Sequence, residues 1–360
     1  MVRLKKILFF FIIMIEIDGN YLEGGGAIVR CALALSTLTG KGFSVKDIRK
    51  GRKKPGLKNQ HLYGVKALQE LCNAKVADAH LGSDRLTFIP GKVKPKTLNV
   101  DIGTAGSITL LLQAVMLPCL FADKSIKLEL VGGTDVPWSP SFDYFDKVIV
   151  SQLRRYAEID VTLEKRGYFP KGNGKVEIKI KPRLLDKIPS LKLLEQGSLA
   201  KIDGVVHCSN ELSDKKVAER MAESAKNTFN LEVPIEVKME YVDSLSVGTG
   251  ITLLARYTTE DELDDEFNPV ILGADRLGER GKVAENVGKE CAEGLLDEIN
   301  SECAVDRHLG DMLIPFLGLF GGEIRVSSIT DHLRTNIYVV EKFLDKKFEV
   351  DEGKKIIRVQ

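Results

Sequence analysis

Residues Ile17–Ser36, IDGNYLEGGGAIVRCALALS, run from a strand-like end through a turn and three successive glycines into an apolar stretch with helical spacing. Glycines at a helix start let an anion approach bare backbone N–H groups at the positive end of the helix dipole. No Lys-Ser or Lys-Thr follows them, so this is not a Walker loop. Glu23, just ahead of the glycines, is placed to hold a divalent metal, and Arg30, inside the helix, to reach back toward a phosphate. Taken alone the motif reads equally as a tight turn and as a phosphate site.

Two later segments follow the same pattern: VDIGTAGSITLLLQAVMLPCLFADK from Val100 and VDRHLGDMLIPFLGLFGGE from Val305. Each passes from an aspartate near a strand end through a small-residue or polar turn into an apolar helix, which is a repeat signal. After the first comes HLYGVKALQELCNA, apolar on one face, and after the second FDYFDKVIVSQLRRYAEI and a hairpin with the turn GNG. The stretch KVAENVGKECAEGLLDEINSE is assigned to the third pair of helices. The pattern predicts an α+β fold built from a repeated unit of two helices on a small sheet. Residues 183–278 break the rhythm and read as an inserted α+β module. The expected division is an extension over 1–13, a large domain over 14–182 resuming at 279–345, the insertion between them, and a tail over 346–360. The acidic run TTEDELDDEFN is expected to be a solvated loop.

Composition narrows the function classes. With 52 basic and 51 acidic residues, a net charge of +1 excludes a polycationic nucleic-acid binder but not a local basic site. Such a site occurs in DIRKGRKKPGLKNQHLYG, where Arg49, Lys50, Arg52, Lys53, Lys54 and Lys58 precede a helix starting near Asn59. Glycine and proline stiffen this loop, which suits a nucleic-acid backbone or terminal phosphate, the alternative being an ordinary solvated turn. His61 beside it reads as a phosphate contact or, preferably, a structural cap. The six cysteines contain no CxxC pair, which argues against a disulfide or zinc framework and for a reducing cytoplasm. The start, MVRLKKILFFFIIMIEIDG, imitates a signal peptide. It lacks a small-residue cleavage site, and its apolar run is shorter than the about 20 residues that span a bilayer. A core strand from Met14 to Ile17 is expected, with Met14 as the initiator.

Several side chains remain open in role. Gln113 is the one amide side chain in the apolar helix after GTAGS, so it is satisfied by backbone or directed at a ligand. GGTDVPWSPSFDYF carries the sole tryptophan, Trp138, and Pro140, flat surfaces suited to a stacked base or to packing. His80 and His207 lie in strand-like stretches and read as structural. His308 and Asp311, at i and i+3, share a helix face, and His332 stands just before the last helix. Spacing does not choose between His308 and His332 as a nucleophile.

Together, EGGGAIVR, RKGRKKPGLKNQHL, GTAGS with LLLQ, GGTDVPWSP, RGYFPKGNG, HLGDML and DHLRTN resemble the RNA 3'-terminal phosphate cyclase family, in this order and over nearly the whole chain from Met14. The resemblance implies three repeated units, each two helices on a four-stranded sheet, with a smaller inserted α+β domain. It also implies an activity: ATP and a divalent metal, Mg or Mn, convert an RNA 3'-phosphate to a 2',3'-cyclic phosphate. The implied route passes through a histidine-AMP and an RNA-adenylate anhydride.

By the same resemblance, His332 in DHLRTN is the residue adenylylated. Pro140 and His308 sandwich the adenine, and Asp311 sits near the ribose, the metal or the nucleophile. Glu23 and Gln113 face metal and phosphates, while Arg30, Arg49 and Arg52 neutralise ATP phosphates and grip the RNA end. Leu22, Ala27, Gly310 and Met312 depart from the family pattern, and none of them removes a proposed catalytic side chain. The implied partners are ATP and RNA ending in a 3'-phosphate, with no membrane, and a monomer or homodimer. A non-catalytic RNA-binding or ribosome-assembly protein on the same scaffold is the alternative. Enolpyruvyl transfer on a related architecture is a third, for which these motifs leave no room.

Overall fold

The computed structural model of the chain describes residues 14–183, 190–258 and 269–359. The expected extension over 1–13 and nearly all of the acidic run TTEDELDDEFN lie outside the described residues. The architecture is mixed α and β, with four sheets of four strands each among the described residues.

In the first sheet the chain runs β1 (Met14–Asp18), α1 (Gly26–Thr39), β2 (Gly42–Lys46), α2 (Asn59–Cys72), β3 (Lys75–Ala77) and β4 (Leu86–Ile89), giving the order β1-β2-β4-β3. β1 and β2 are parallel, and β4 is antiparallel to both of its neighbours. A parallel pair needs a crossover, which α1 supplies.

The second sheet is built from β5 (Thr97–Asp101), α3 (Ile108–Leu120) and β6 (Ile126–Gly132), then a helical run and β7 (Ala157–Lys165) and β8 (Gly174–Pro182), in the order β5-β6-β8-β7. The helical run consists of α4 (Phe142–Tyr144), a π-helical turn at Phe145–Ile149 and α5 (Val150–Leu153).

β9 (Leu191–Leu193) comes next, before a separate layer. That layer has the sheet order β11-β10-β12-β13 and contains β10 (Ser198–Ser209), α6 (Val217–Thr228), β11 (Ile235–Val242), β12 (Thr249–Thr258), β13 (Ile271–Leu277) and α7 (Ala284–Asn300). The chain then supplies α8 (Arg307–Phe320), β14 (Gly322–Arg325), α9 (Asp331–Phe343), β15 (Phe348–Asp351) and β16 (Ile356–Val359). These strands join β9 in the order β15-β16-β14-β9.

Three placements differ from the boundaries expected above. α7, assigned to the third helix pair, packs instead on α6 and on β12 and β13. Its buried stripe of Val287, Gly288, Cys291, Ala292 and Leu295 provides the face, and a Cβ on Gly288 would stand 2.1 Å from the Met221 carbonyl of α6. The helices therefore cross backbone to backbone. Residues 346–360, expected as a tail, supply β15 and β16, and β9 from the expected insertion pairs in parallel with β14.

The helices decide where the site forms. α1 packs on α3 and on α9, α2 on α3, and α8 on α9. Every residue of α3 except Gln113 is buried, and each large aliphatic side chain so buried contributes about 1.5–3 kcal/mol. α1 is apolar on nearly all sides because it is covered on nearly all sides, and this central position brings the start of α1 beside α3 and α9. No helix among the described residues is long and apolar enough to cross a membrane.

Candidate active site

The glycine loop is a turn held in an unusual backbone conformation. Leu22 and Gly24 both have positive φ, at 47° and 53°. Gly25 is the N-cap of α1 and supplies no side-chain cap, so the first N–H groups of the helix have no capping oxygen. At Gly26 the constraint is one of space: a Cβ there would stand 2.1 Å from His61 Nε2 and 2.9 Å from Arg30 Nη1. The missing side chain lets two nitrogen-bearing groups converge on the positive end of a helix. Tyr21 and Tyr338 stack at 4.0 Å between centroids, and the Tyr338 hydroxyl accepts the Asp18 N–H at 3.0 Å, which fastens the loop to α9.

Three of the expected residues meet around this loop. Glu23 accepts from Arg52 Nη2 through Oε1, and its Oε2 lies 2.7 Å from His332 Nδ1. The His332 contact, reinforced by Arg52 and opposed by burial, holds the Glu23 carboxyl below its ordinary range. The same contact raises His332, with Asp311 adding to the rise, while burial and Arg30 oppose it. Because Nδ1 faces the carboxylate, Nε2 is the ring atom left for other chemistry. No hydrogen bond among the described residues occupies it. The side chain is 46% exposed, so the ring is reachable.

Asp311 stands behind the histidine. Its Oδ1 accepts from Thr330 Oγ1 at 2.5 Å, and Thr330 is itself the N-cap of α9, accepting the Leu333 N–H at 2.9 Å. Burial drives the Asp311 carboxyl up to about 6, against the pull of Thr330, His332 and His308.

On the other side of the loop, Arg30 Nε donates to Gln113 Oε1 at 2.7 Å. The open choice for Gln113 thus resolves as a partner for a guanidinium. Burial lowers Arg30 to about 10, which leaves it charged at neutral pH.

The basic loop divides its cations. Arg52 pairs with Glu23, whereas Arg49, at φ 56°, donates Nη1 to the carbonyls of Lys54 at 2.8 Å and Gly56 at 3.1 Å and so shapes the loop itself. His61, read above as a cap, does accept the Lys58 N–H through Nδ1 at 3.0 Å. Its Nε2 is buried without a partner and faces Gly26. Burial, with Arg30, Arg49 and Lys58 nearby, drives His61 down to about 3, so it is a neutral ring with its proton on Nε2, a donor aimed at the start of α1. Its place in NQH, directly after the basic loop at a helix start, was the available signal.

A second group lies alongside. The Pro140 carbonyl accepts from Thr109 Oγ1 at 2.9 Å, about one turn before Gln113 on α3. His308, exposed at the start of α8, meets the Tyr144 ring edge-on at 6.2 Å, and Tyr144 follows Pro140 by one short helical turn. Trp138 is 97% exposed at φ 63° and has no ring partner among the described residues. His207 is structural in its contacts: it is fully buried, with Nδ1 2.9 Å from the Tyr168 hydroxyl and Nε2 3.4 Å from Asp135.

For a divalent cation, this centre offers the carboxylate of Glu23, already flanked by Arg52 and His332. That donor set fits Mg or Mn held mainly by substrate phosphates and water, since Mg typically takes one or two protein carboxylates at phosphate sites.

The sequence model described as RNA 3'-terminal phosphate cyclase matches residues 21–350. Among curated relatives, the RNA 3'-terminal phosphate cyclase of Pyrococcus abyssi is 45% identical over 340 residues, covering 94% of this chain and 95% of its own. The Archaeoglobus fulgidus protein of that name is 42% identical over 348 residues, covering 96% and 99%. That of Saccharolobus solfataricus is 42% identical over 349 residues, covering 96% and 98%. A match over nearly the whole length on both sides, spanning the loop of Glu23 and the helix of His332, places this chain in the RNA 3'-terminal phosphate cyclase family.

Proposed function

We propose that this chain converts an RNA 3'-terminal phosphate to a 2',3'-cyclic phosphodiester at the expense of ATP, by way of an adenylylated His332. The reading rests on one contact above all: Glu23 engages His332 Nδ1, which leaves Nε2 directed at chemistry beside the uncapped start of α1 and the Arg30–Gln113 pair.

The steps balance as follows. Neutral Nε2 attacks the α-phosphorus of ATP, the P–N bond forms and the bond to pyrophosphate breaks. Glu23 stabilises the imidazolium that develops, because its carboxylate lies against Nδ1–H. An oxygen of the RNA 3'-phosphate then attacks the same phosphorus and displaces His332. Finally the neighbouring 2'-hydroxyl attacks the RNA phosphorus, loses its proton and expels AMP. The terminal phosphate is a poor electrophile until the anhydride gives it a leaving group, so the histidine-bound AMP carries the activation between the two transfers.

Arg30 and the N–H groups at the start of α1 are suited to neutralise the triphosphate, with the His61 Nε2–H a further donor. Arg52, and the loop shaped by Arg49, face the incoming RNA end. Pro140 and His308 form the two sides of the adenine site, with Asp311 between base and nucleophile. Glu23, together with the substrate phosphates, would hold a divalent cation, which would supply charge neutralisation for the departing pyrophosphate.

The three sheets that share the path β-α-β-α-β-β support a further reading, that one unit is repeated three times. On it, the layer over residues 198–300 is an insertion between the first strand and first helix of the third unit.

Incubation with ATP labelled at the α-phosphate tests the function. The wild-type chain should retain acid-labile label, and RNA ending in a 3'-phosphate should discharge it as AMP with a cyclic end. Label retained by His332→Ala would remove His332 from its role. No label on the folded wild-type chain would favour the non-catalytic alternative.

A further inference from the structure

The inserted layer reaches both walls of the proposed base site through a single strand. β13 is the edge strand of its sheet, so the polar groups on its outer side are free of ladder bonds. Asp275 Oδ2 accepts the Ser141 N–H at 2.6 Å, and Ser141 Oγ lies 2.8 Å from Thr252 Oγ1 on β12. Ser141 directly follows Pro140.

Two residues earlier on β13, the Gly273 N–H donates to Asp306 Oδ2 at 3.0 Å. Asp306 Oδ1 accepts from the Tyr144 hydroxyl at 2.6 Å and caps α8 through the N–H groups of His308 at 3.0 Å and Leu309 at 2.9 Å. The space is closed as well as bonded: a Cβ on Gly273 would stand 2.6 Å from two carbons of the Tyr144 ring. Ser141 and Asp306 are both buried, so neither could exchange these partners for water without loss.

We infer that Asp275, acting with Gly273, is a positioning residue that sets the separation of Pro140 and His308 and thereby the selectivity of the site for the adenine base. Two points on one short, rigid strand hold the two walls, one through Ser141 and the other through Asp306. The inserted layer thus acts as the spacer of the proposed base site. The inference rests on the proposal that the base lies between Pro140 and His308.

The test measures labelling of the full-length chain at varied ATP and GTP for the wild type, Asp275→Ala, Asp275→Asn, Gly273→Ala, Pro140→Ala and His308→Ala. For Asp275→Ala, KM for ATP should rise about tenfold with kcat within about twofold, and the preference for ATP over GTP should narrow. Asp275→Asn, whose amide oxygen accepts the same N–H, should restore both. Gly273→Ala, which displaces Tyr144 while keeping Asp275, should reproduce the defect and covers the case in which Asp275→Ala does not fold.

Wild-type KM and preference in Asp275→Ala and Gly273→Ala, with raised KM in Pro140→Ala and His308→Ala, would overturn the inference and leave the base site standing. Unchanged KM in Pro140→Ala and His308→Ala would overturn the base site itself. A proportional loss of kcat and melting temperature in Asp275→Ala, without a change of preference, would reduce Asp275 to a structural role and also overturn the inference.

Discussion

Glu23, in the glycine loop ahead of α1, and His332, in the first turn of α9, meet at 2.7 Å. The contact joins the glycine loop to the ring proposed as the nucleophile, and each partner shifts the other toward its charged form.

The rate of label capture should therefore depend on pH through His332. Only the neutral ring attacks, and Glu23 raises the ring above its ordinary value, so the rate should climb as pH rises through that raised value. Glu23→Gln should move the midpoint to lower pH and lower the plateau about 10- to 100-fold, because the developing imidazolium loses its counter-charge. A pH-rate profile of both proteins decides; an unmoved midpoint would separate Glu23 from the ring. As a matter of stability the pair counts most between the two pKa values. The histidine part fades as pH rises through its raised value and the glutamate part as pH falls through its lowered one. With 46% and 26% of the side chains exposed, it is worth no more than about 1 kcal/mol.

Asp311 should trade stability for function. Its carboxyl ionises near 6 in the folded chain, against an unfolded value of 3.8. The folded state therefore binds the proton more tightly, and stability falls as pH rises between those values, by about 1–3 kcal/mol in all. Asp311→Asn should melt a few degrees higher than wild type at pH 8, lose that advantage below pH 4, and label more slowly. Equal melting at pH 8 would show that the charge is not the cost.

Gly26→Ala ordinarily favours a helix, yet here the added Cβ would lie 2.1 Å from His61 Nε2. It should cost about 1–3 kcal/mol and slow labelling about 100-fold as His61 and Arg30 are pushed apart. The double variant Gly26→Ala with His61→Ala should regain most of the stability, read by denaturant melting, without regaining the rate.

Arg166 is 3% exposed and holds Asp135 at 3.1 Å and Asp143 at 2.8 Å beneath the loop of Pro140. Arg166→Met removes the cation and leaves two buried carboxyls, at a cost of about 3–5 kcal/mol. Burial already raises Asp143 to about 6, and loss of Arg166 raises it further, so the deficit should be larger at pH 8 than at pH 5. Urea melts at the two pH values test the sign.

Local pattern alone carried much of this protein into view. The glycine turns before apolar helices and the basic loop are short-range features, in which residue type and spacing act within a turn or two; His332, expected just before the last amphipathic helix, lies inside its first turn. Periodicity reports which face of a helix is apolar; it does not report which apolar surface will cover that face. The amphipathic stripe of α7 therefore suited α8 as well as β12 and β13, and only the close crossing of Gly288 over the Met221 carbonyl decided between them.

The pairs across the site, Glu23 with His332, Arg30 with Gln113 and Gly26 with His61, depend on α1 lying between α3, α2 and α9, a packing outcome with no local signature. The same holds for Asp275, unremarkable in its strand until the fold sets it on Ser141. Sequence determined which groups could act and on what kind of backbone they would be carried. Tertiary structure decided which of them meet, because hydrogen bonds and ion pairs require approach to within about 3 Å, and only burial of the helices against one another brings distant parts of the chain that close.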